Sequence, residues 1–377
     1  MTQAPPPTDM HMQRSSRAPE EVAALIGTWL TGEVASDRPV VVEVVGGIDT
    51  NGLSSDTLVL DARWTKDGQE QGGRYVTRAA PAPEDVPVFP TYAIQAQGDA
   101  IRLVGEITDV PVPAVPFSEP TGSVLGVPFF LMEHVDGLVP PDVLPYNFGD
   151  NWFADASREQ QRALQDATVD VVARLHAIPD AATTFSFLAL DGEGSLNEQH
   201  LRRVRTWYEF GAADIGRSPL TERALAWLEA NVPTPARPDE TVLCWGDARI
   251  GNVLYRDFEP VAVLDWEMAA LGTREIDLSW MVFAHRVFEA LTSMMDLPGM
   301  PHVLREEDVL ATYADRTGVE IGDLTWYYLL HAAQWCCVFL RTGVRQVHFG
   351  EIEQPEDPEG LFHHRVLMEK LLDEVGA

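Results

Sequence analysis

The sequence predicts an α+β protein with two lobes: a small N-terminal lobe with an antiparallel sheet and one helix, and a larger, mainly helical C-terminal lobe. Three observations support this class. Residues 40–135 contain short β-branched and apolar runs separated by polar or glycine-rich connections, which is typical of strands. From residue 138 onward, the apolar positions recur mainly with helical spacing. The chain has 377 residues, which is enough for two lobes and a large core.

The N-terminal lobe is expected to begin with a helix and continue as a sheet. Pro19 and the acidic residues after it open the helix, because proline is tolerated in the first turn and acids are favourable there. A polar, glycine-rich hairpin connection is predicted at residues 66–73. The pattern predicts a five-stranded sheet with one inserted helix. Its elements are strands at 40–45, 57–64, 74–78 and 126–135, an extended entry into the last strand pair at 110–113, and a helix at 91–107.

Helices dominate the predicted C-terminal lobe. Its first helix is amphipathic, and short strands within residues 242–264 interrupt the helical pattern. The predicted helices span residues 157–178, 201–210, 219–230, 277–291, 306–317, 324–341 and 361–375. The domain organisation that follows is a disordered tail at 1–16, a nucleotide-binding lobe at 17–132, a hinge at 133–137 and a catalytic lobe at 138–377.

Charge and cysteine content limit the possible partners. A net charge of −31 disfavours nucleic acid and anionic membranes, whose charges would repel this protein. It suits a cationic small-molecule substrate, although acidity that serves only solubility is the simpler explanation. The three cysteines form no disulfide framework, and residues 1–17 contain no apolar run of a signal peptide, so we expect a cytoplasmic protein. Residues 324–340 are uncharged but short for a membrane span, which indicates a buried core helix.

A loop in the second half of the chain carries the residues that suggest chemistry. Asp247 is followed five residues later by Asn252, and Asp265 comes eighteen residues after Asp247 at the end of an apolar run. Phosphoryl transfer from a nucleotide uses one carboxylate to orient the accepting hydroxyl, and an amide plus a second carboxylate to hold magnesium. The D-x-x-x-x-N spacing alone recurs by chance, and a lone Asp in such a turn would only cap it. The strand-borne Asp265 makes the combination specific.

With this set of residues, the chain resembles the aminoglycoside phosphotransferase family, a small-molecule branch of the protein-kinase-like fold. The L-M-E-H-V-D-G segment at 131–137 adds to the resemblance. The chain looks closest to a bacterial branch often labelled as aminoglycoside phosphotransferases. A related branch is the kinase domain attached to some acyl-CoA dehydrogenases. The resemblance implies that Asp247 is the catalytic residue and that Asn252 and Asp265 bind Mg²⁺, for which oxygen ligands are suited.

The resemblance also implies where the nucleotide binds. Arg78 ends a strand at the position of the basic residue that pairs with the α- and β-phosphates, and a guanidinium can bind phosphate bidentately. Main-chain groups of Glu133 and Val135 would face the adenine, with Met132 against the base.

The turn at residues 46–55 occupies the place of the phosphate-covering loop in such folds. Backbone N–H groups around Gly47, Ser54 and Ser55 could cradle phosphates. The turn lacks the G-x-G-x-x-G spacing, so on the sequence alone a plain hairpin turn is an equal alternative.

The chain departs from the family pattern at two positions. The family usually has a histidine two residues before the catalytic Asp, where this chain has Trp245. The indole offers bulk and one N–H donor, so we predict that it packs behind Asp265 in the structural role of that histidine. The helix acid that pairs with the basic residue falls near Gln97, which leaves that role open. Asp277 resembles a residue that braces the catalytic loop, and Glu267 either supports the metal ligands or caps a turn.

These expectations combine into a function. The resemblance implies an ATP- and Mg²⁺-dependent phosphotransferase that acts on a small-molecule hydroxyl, with aminoglycoside-like acceptors favoured. The alternatives are a metabolic kinase of a hydroxyacyl thioester or amino alcohol, and a catalytically silent nucleotide-binding protein. Acceptor specificity is expected to depend on residues 138–156 and on the helices after Leu271.

Overall fold

A five-stranded antiparallel sheet forms the first lobe of the computed structural model, which describes residues 16–47, 56–142, 145–237 and 240–377. Its strands lie in the order β1-β2-β3-β5-β4, so β5, the last strand of this sheet along the chain, lies between β3 and β4. This is the sheet that the sequence predicts. The strands are β1 (Val41–Gly47), β2 (Leu58–Lys66), β3 (Gln69–Ala79), β4 (Phe117–Glu119) and β5 (Phe129–Glu133).

Two helices cover the two faces of this sheet, α1 (Pro19–Glu33) and α2 (Ile94–Ile107). Successive residues of β5 point to opposite faces, because the side-chain period of a strand is two. Phe129 therefore packs on the α1 side, where the ring of Trp29 lies 5.0 Å away. Phe130 packs on the α2 side, against a helix whose Gly98 lets the ring approach closely. The inserted helix is thus confirmed, and it forms one wall of the cleft described below.

The hairpin between β2 and β3 differs from the prediction. The turn consists of Asp67 and Gly68 alone, both with positive φ, and residues 69–73 belong to the strand instead of a connection. Those residues are polar or glycine and mostly exposed, so their composition resembles a loop, yet each of them pairs with β2 along the ladder. The prediction for 66–73 was wrong because backbone pairing, which composition does not reveal, extends the strand. The strand predicted at 126–135 is likewise shorter, at Phe129–Glu133.

The second lobe is a helical array around one large apolar core. Two of its helices begin with reciprocal capping boxes, at Ser157 with Gln160 and at Ser195 with Glu198, in which side chains satisfy free N–H groups of the first turn. The helices are α3 (Arg158–His176), α4 (Ala181–Thr184), α5 (Leu196–Ile215), α6 (Pro219–Ala230), α7 (Arg274–Met294), α8 (Glu306–Thr317), α9 (Thr325–His348) and α10 (Arg365–Glu374). Among the described residues, no helix is both long and apolar enough to cross a membrane.

Two small two-stranded sheets between α6 and α7 carry the polar residues singled out above. The first pairs β6 (Val242–Cys244) with β9 (Ala270–Gly272), and the second pairs β7 (Val253–Arg256) with β8 (Glu259–Val263). A bridge between Leu138 and Tyr255 ties the chain just after the predicted hinge to the second hairpin. The β7–β8 hairpin therefore lies where the two lobes meet. The lobe boundaries at 132 and 138 remain predictions.

Candidate active site

The loop after β6 has a backbone course that is fixed by hydrogen bonds. Gly246 has φ +89°, and a side chain there would collide with the carbonyl of Met268, so glycine is required. The carboxylate of Asp277 at the start of α7 accepts the N–H of Trp245 and the N–H of Gly246, each at 2.8 Å. The predicted bracing role of Asp277 is confirmed. Its two bonds fix the main chain of the two residues that precede Asp247.

The carboxylate of Asp247 is held at one of its two oxygens. The indole N–H of Trp280 donates to Oδ1 at 2.6 Å, and Nε of Arg249 donates to the same oxygen at 2.9 Å. No donor from the described part of the chain is bonded to Oδ2. The side chain is oriented but one oxygen stays available, which is the state that a residue needs if it is to accept a proton from a bound hydroxyl.

Asn252 joins the catalytic loop to the segment that contains Asp265. Its side-chain N–H donates to the main-chain carbonyl of Asp247 at 3.1 Å. Its main-chain carbonyl accepts the main-chain N–H of Leu264 at 2.8 Å. Its side-chain oxygen accepts a hydrogen bond from Arg249 at 3.3 Å. The amide is therefore fixed between the two acids, with an oxygen that can serve as a ligand.

Asp265 lies directly after β8 and Leu264 in a strained backbone conformation. Its φ is +57°, a left-handed value that is uncommon for residues other than glycine and that often marks functional positions. Nη2 of Arg78 from β3 lies 2.9 Å from its carboxylate and 3.5 Å from that of Glu267. Burial alone would lower the pKa of Arg78, but the two carboxylates outweigh it and the pKa is raised. Arg78 is thus a permanent cation beside the acid that is predicted to bind metal.

Arg249 and Asp142 are functional candidates that the sequence analysis did not identify. The guanidinium of Arg249 bonds to Asp247, Asn252 and Asp142, and the last pair is a close contact. Burial raises the pKa of Asp142 although Arg249 opposes it, and one of its carboxylate oxygens is buried without a hydrogen-bond partner. A side chain at Gly251 would collide with that carboxylate. The only sequence signal was an Asp within residues 138–156, and no spacing links it to Arg249.

Trp245 is fully buried directly behind the segment that contains Asp265. Its indole N–H donates to the carbonyl of Leu264 at 2.8 Å, one residue before Asp265, and its ring lies 6.4 Å from that of Trp266. This is the packing position and the single donor that the sequence analysis predicted for it. Whether the indole replaces a histidine without loss of activity remains a prediction.

A cavity of about 410 Å³ runs from the link between the lobes to these acids. Of the predicted nucleotide-binding and metal-binding residues, six line it: Arg78, Met132, Glu133, Val135, Asn252 and Asp265. Asp247 lies outside the lining, behind Asn252. Gly47 ends β1, whereas Ser54 and Ser55 lie outside the described residues, so the phosphate-covering loop is untested.

Two main-chain N–H groups of the link between the lobes, at residues 133–137, are already bonded within the protein. The N–H of Glu133 donates to Ala114 and that of His134 donates to Arg74, at 2.8 and 2.9 Å. Gln97 of α2 is buried and lines the same cavity as Arg78. The acids that pair with Arg78 come from the other lobe, because α2 offers an amide at this position instead of a carboxylate.

Two groups of side chains could be considered as metal ligands, and only one of them suits magnesium. Asn252 and Asp265 offer oxygen ligands at the same cavity, which suits a hard cation. His176, Cys244 and Asp277 also lie within 4.8 Å of one another. Both oxygens of Asp277 accept backbone N–H groups, and one is also 3.2 Å from His176, so this buried cluster braces the loop.

Comparison with known proteins agrees with this geometry. The model of the phosphotransferase enzyme family matches residues 62–299. A solved structure from Ralstonia eutropha, assigned as an aminoglycoside phosphotransferase, has a TM-score of 0.63 at 20% identity and covers 92% of this chain and 95% of its own. A macrolide 2′-phosphotransferase from Brachybacterium faecium has a TM-score of 0.51, also at 20% identity, with 88% and 98% covered. At these identities the likeness shows the fold, and the predicted two-lobed, kinase-like fold is confirmed.

Curated relatives match only in part. The chain is 30% identical over 179 residues to acyl-CoA dehydrogenase family member 10 from Mus musculus, which covers 47% of this chain and 15% of that protein. It spans about a third or less of the length of the first curated relatives that it matches.

Proposed function

The chain belongs to the phosphotransferase enzyme family, and on that premise we propose that it transfers the γ-phosphate of ATP, with Mg²⁺, to a hydroxyl of a small molecule. The observation that carries this proposal is that hydrogen bonds of Asn252 connect Asp247 to the segment that contains Asp265, and that Asn252 and Asp265 both line the cavity. Phosphoryl transfer needs mainly positioning and charge stabilisation. A site with an oriented carboxylate, an amide oxygen and a second carboxylate meets both requirements.

On the acceptor side, Asp247 is the proposed proton acceptor. Trp280 and Arg249 hold Oδ1, so Oδ2 would accept the proton of the attacking hydroxyl. Arg249 would also place positive charge near the phosphate being transferred, where negative charge is spread over its oxygens. Asp142 would keep this guanidinium in place.

On the nucleotide side, the chain supplies apolar walls and one buried cation, Arg78. Met132 and Phe130 would contact the base, and the main chain of Glu133 and Val135 would face its polar edge. Arg78 would exchange Asp265 for the α- and β-phosphates when nucleotide binds, and Asp265 would then be free to ligate Mg²⁺ together with Asn252. When bound, the metal would neutralise charge on the phosphates. Gly47, Ser54 and Ser55 are proposed to cover those phosphates from above.

The acceptor class has two candidates. Aminoglycoside-like acceptors are the family's named substrates, and the net charge of −31 is compatible with cations. A hydroxyacyl thioester or an amino alcohol is the alternative, and the curated relatives that carry acyl-CoA dehydrogenase names favour the thioester. A catalytically silent nucleotide-binding protein is a third hypothesis, which the intact Asp247, Asn252 and Asp265 disfavour.

A paired experiment tests the proposal. ADP release from Mg-ATP is measured with aminoglycosides, amino alcohols and hydroxyacyl thioesters as acceptors, and Mg-ATP affinity is measured by calorimetry on the same protein. The proposal expects tight nucleotide binding and ADP release with one acceptor class. Nucleotide binding without turnover for any acceptor would support the silent protein, and absence of binding would contradict both.

A further inference from the structure

A buried side-chain amide without a hydrogen-bond partner lines the cavity that also contains Arg78. Gln97 of α2 is only 4% exposed. Within the described part of the chain its side-chain amide forms no hydrogen bond, although its main-chain N–H donates to Ala93 in the helix. Buried amides are normally paired, because an amide that loses its bonds to water without gaining others costs free energy. The amide of Gln97 can therefore pair with a group that enters the cavity.

This amide is open to the cavity instead of being sealed in the core. In Gln165, by contrast, the unpaired amide nitrogen is fully buried. Gln97 has no such closed atom, and it forms part of the cavity wall together with Ile101, four residues further along α2. Residues four apart lie on the same face of a helix, so one face of α2 borders the cavity.

The register of the sheet places Gln97 close to Arg78. Arg78 on β3 pairs directly with Phe130 on β5, and side chains of directly paired residues lie on the same face of a sheet. Helix α2 crosses this face at Phe130, since a side chain at Gly98 would approach the ring to 3.2 Å. Gln97 precedes Gly98, so its side chain enters the cavity near the pair of Arg78 and Phe130.

The charges at this end of the cavity favour a neutral donor at position 97. Arg78 is the only lysine or arginine among the described residues that line the cavity, and it pairs with the carboxylates of Asp265 and Glu267. The phosphates of a nucleotide would add further negative charge at the same place. A carboxylate at position 97 would repel them, whereas an amide N–H can donate to a phosphate oxygen without adding charge.

We propose that the side-chain N–H of Gln97 donates to a phosphate oxygen of the bound nucleotide, beside the guanidinium of Arg78. The inference rests on the proposed phosphotransfer, because it takes the cavity as the nucleotide site. It gives α2 a direct contact with the ligand instead of a carboxylate that holds Arg78. That cation is paired by Asp265 and Glu267 of the other lobe, which leaves position 97 free to bind phosphate.

Binding of adenosine and ADP to the full chain tests the inference, with affinities measured by calorimetry in the absence of Mg²⁺. Gln97→Leu keeps the size of the side chain but removes its donors. The dissociation constant of ADP should therefore rise about 10- to 100-fold, as expected for a lost hydrogen bond to a charged group. That of adenosine, which has no phosphates, should stay unchanged. Gln97→Glu should weaken ADP binding at least as much, because a carboxylate would then face the phosphates.

Gln95→Leu is the matched control on the same helix. The amide of Gln95 is already bonded within the protein, since its N–H donates to Asp99 at 3.0 Å and its oxygen accepts the hydroxyl of Ser118 at 2.7 Å. Its replacement should leave both dissociation constants at the values of the parent. Thermal melts verify that each variant is folded, and Gln97→Glu keeps the test decisive if Gln97→Leu is not.

Two outcomes would overturn the inference. One is an ADP affinity that, in Gln97→Leu, stays unchanged or falls no more than that of adenosine. The other is an ADP affinity that is kept or raised in Gln97→Glu, which would mean that position 97 serves to hold Arg78. Failure of the proposed phosphotransfer gives a different result: ADP would still bind with the expected dependence on Gln97, but no acceptor would stimulate ADP release.

Discussion

The proposed nucleotide side and the proposed acceptor side of Asp247, Asn252 and Asp265 are built in different ways. On the nucleotide side, β3, β5 and the link after β5 are neighbours in one sheet, and they supply Arg78, Met132 and Val135. On the acceptor side, Trp280 from α7 bonds to Asp247, and Arg249 connects Asp247 to Asp142, which lies in a loop 107 residues before Arg249. The residues of the proposed nucleotide side come from neighbouring strands of one sheet. Those of the proposed acceptor side come from helices and loops that are distant in sequence.

The largest expected effect comes from removing the negative charge of Asp247, which lies on the proposed acceptor side. Asp247→Asn should lower kcat by roughly 10²- to 10⁴-fold, the span for a general acid–base group, while Mg-ATP affinity stays nearly unchanged. ADP release and calorimetry on the same samples separate the two sides. Asp170→Asn, which removes a surface acid of α3 paired with Arg174, is the control and should leave both quantities unchanged. Turnover that survives within a few-fold in Asp247→Asn would remove this residue from the chemistry.

Trp245 connects the loop that contains Asp247 to the segment that contains Asp265. Its indole N–H donates to the carbonyl of Leu264, and its main-chain N–H donates to Asp277. Trp245→Ala should cost about 3–5 kcal/mol in the free energy of unfolding, as is typical for a fully buried aromatic side chain. Chemical denaturation measures this loss, and Trp64→Ala, a partly exposed indole on β2, should cost much less. A parent-like melt for Trp245→Ala contradicts the packing account.

Trp245→His tests the same residue for function. The histidine keeps one ring N–H donor, so the variant should retain substantial turnover with a modest loss of stability. Steady-state rates provide the measurement. If the parent is inert and Trp245→His gains phosphotransfer, the natural sequence is a silent nucleotide-binding protein.

Acid should weaken the helical lobe, because buried neutral histidines occur in that lobe. Burial lowers the pKa of His285 to about 4, that of His331 to about 3 and that of His364 to about 4. Between these values and 6.5 the unfolded chain binds more protons than the folded one, so stability falls as pH decreases through this window. From pH 7 to 5.5 each histidine should cost about 1 kcal/mol. Urea unfolding at the two pH values measures the total.

A pair of histidine variants isolates one contribution to that pH dependence. His364→Gln should make the loss of stability between pH 7 and 5.5 smaller by one histidine's share, whereas His348→Gln, at an exposed position, should leave it unchanged. Equal pH dependence in both variants and the parent would show that the buried histidines do not control acid stability.

An effect smaller than those at Asp247 and Trp245 is expected for Arg78, the cation of the proposed nucleotide side. Arg78→Ala should raise the KM for ATP about 10- to 100-fold, because charge-assisted hydrogen bonds contribute roughly 1.5–3 kcal/mol. Arg74→Ala on the same strand removes an exposed pair with Asp61 and should leave this KM unchanged. If Arg78→Ala changed only the acceptor's KM, the boundary between the two sides would have to be redrawn.

The same contrast explains what could be predicted from the sequence. Asp247, Asn252 and Asp265 were found because one loop and the following strand carry them at fixed spacing. The five-stranded sheet followed from its periodicity, but the extent of β3 did not, since the exposed residues 69–73 resemble a loop until their pairing with β2 is seen.

The residues that were missed act across long separations. Arg249 was visible in the loop, yet its partner Asp142 and the donor Trp280 are brought to it only by packing of the helical lobe. The left-handed backbone at Asp265 likewise depends on the final fold. Sequence patterns report local structure, so they predicted the residues on one loop and strand but not the partners that the fold brings to them.

Calorimetric titration of Asp265→Ala with ATP, in the presence and absence of Mg²⁺, tests the central claim most directly. The parent and Asp247→Asn should bind ATP much more tightly with Mg²⁺ than without it, because Asp265 and Asn252 would hold the ion on the phosphates. Asp265→Ala should lose this Mg²⁺ dependence entirely while remaining folded. Unchanged affinity and unchanged Mg²⁺ dependence in Asp265→Ala would contradict the assignment of this site as the metal-binding centre of a phosphotransferase.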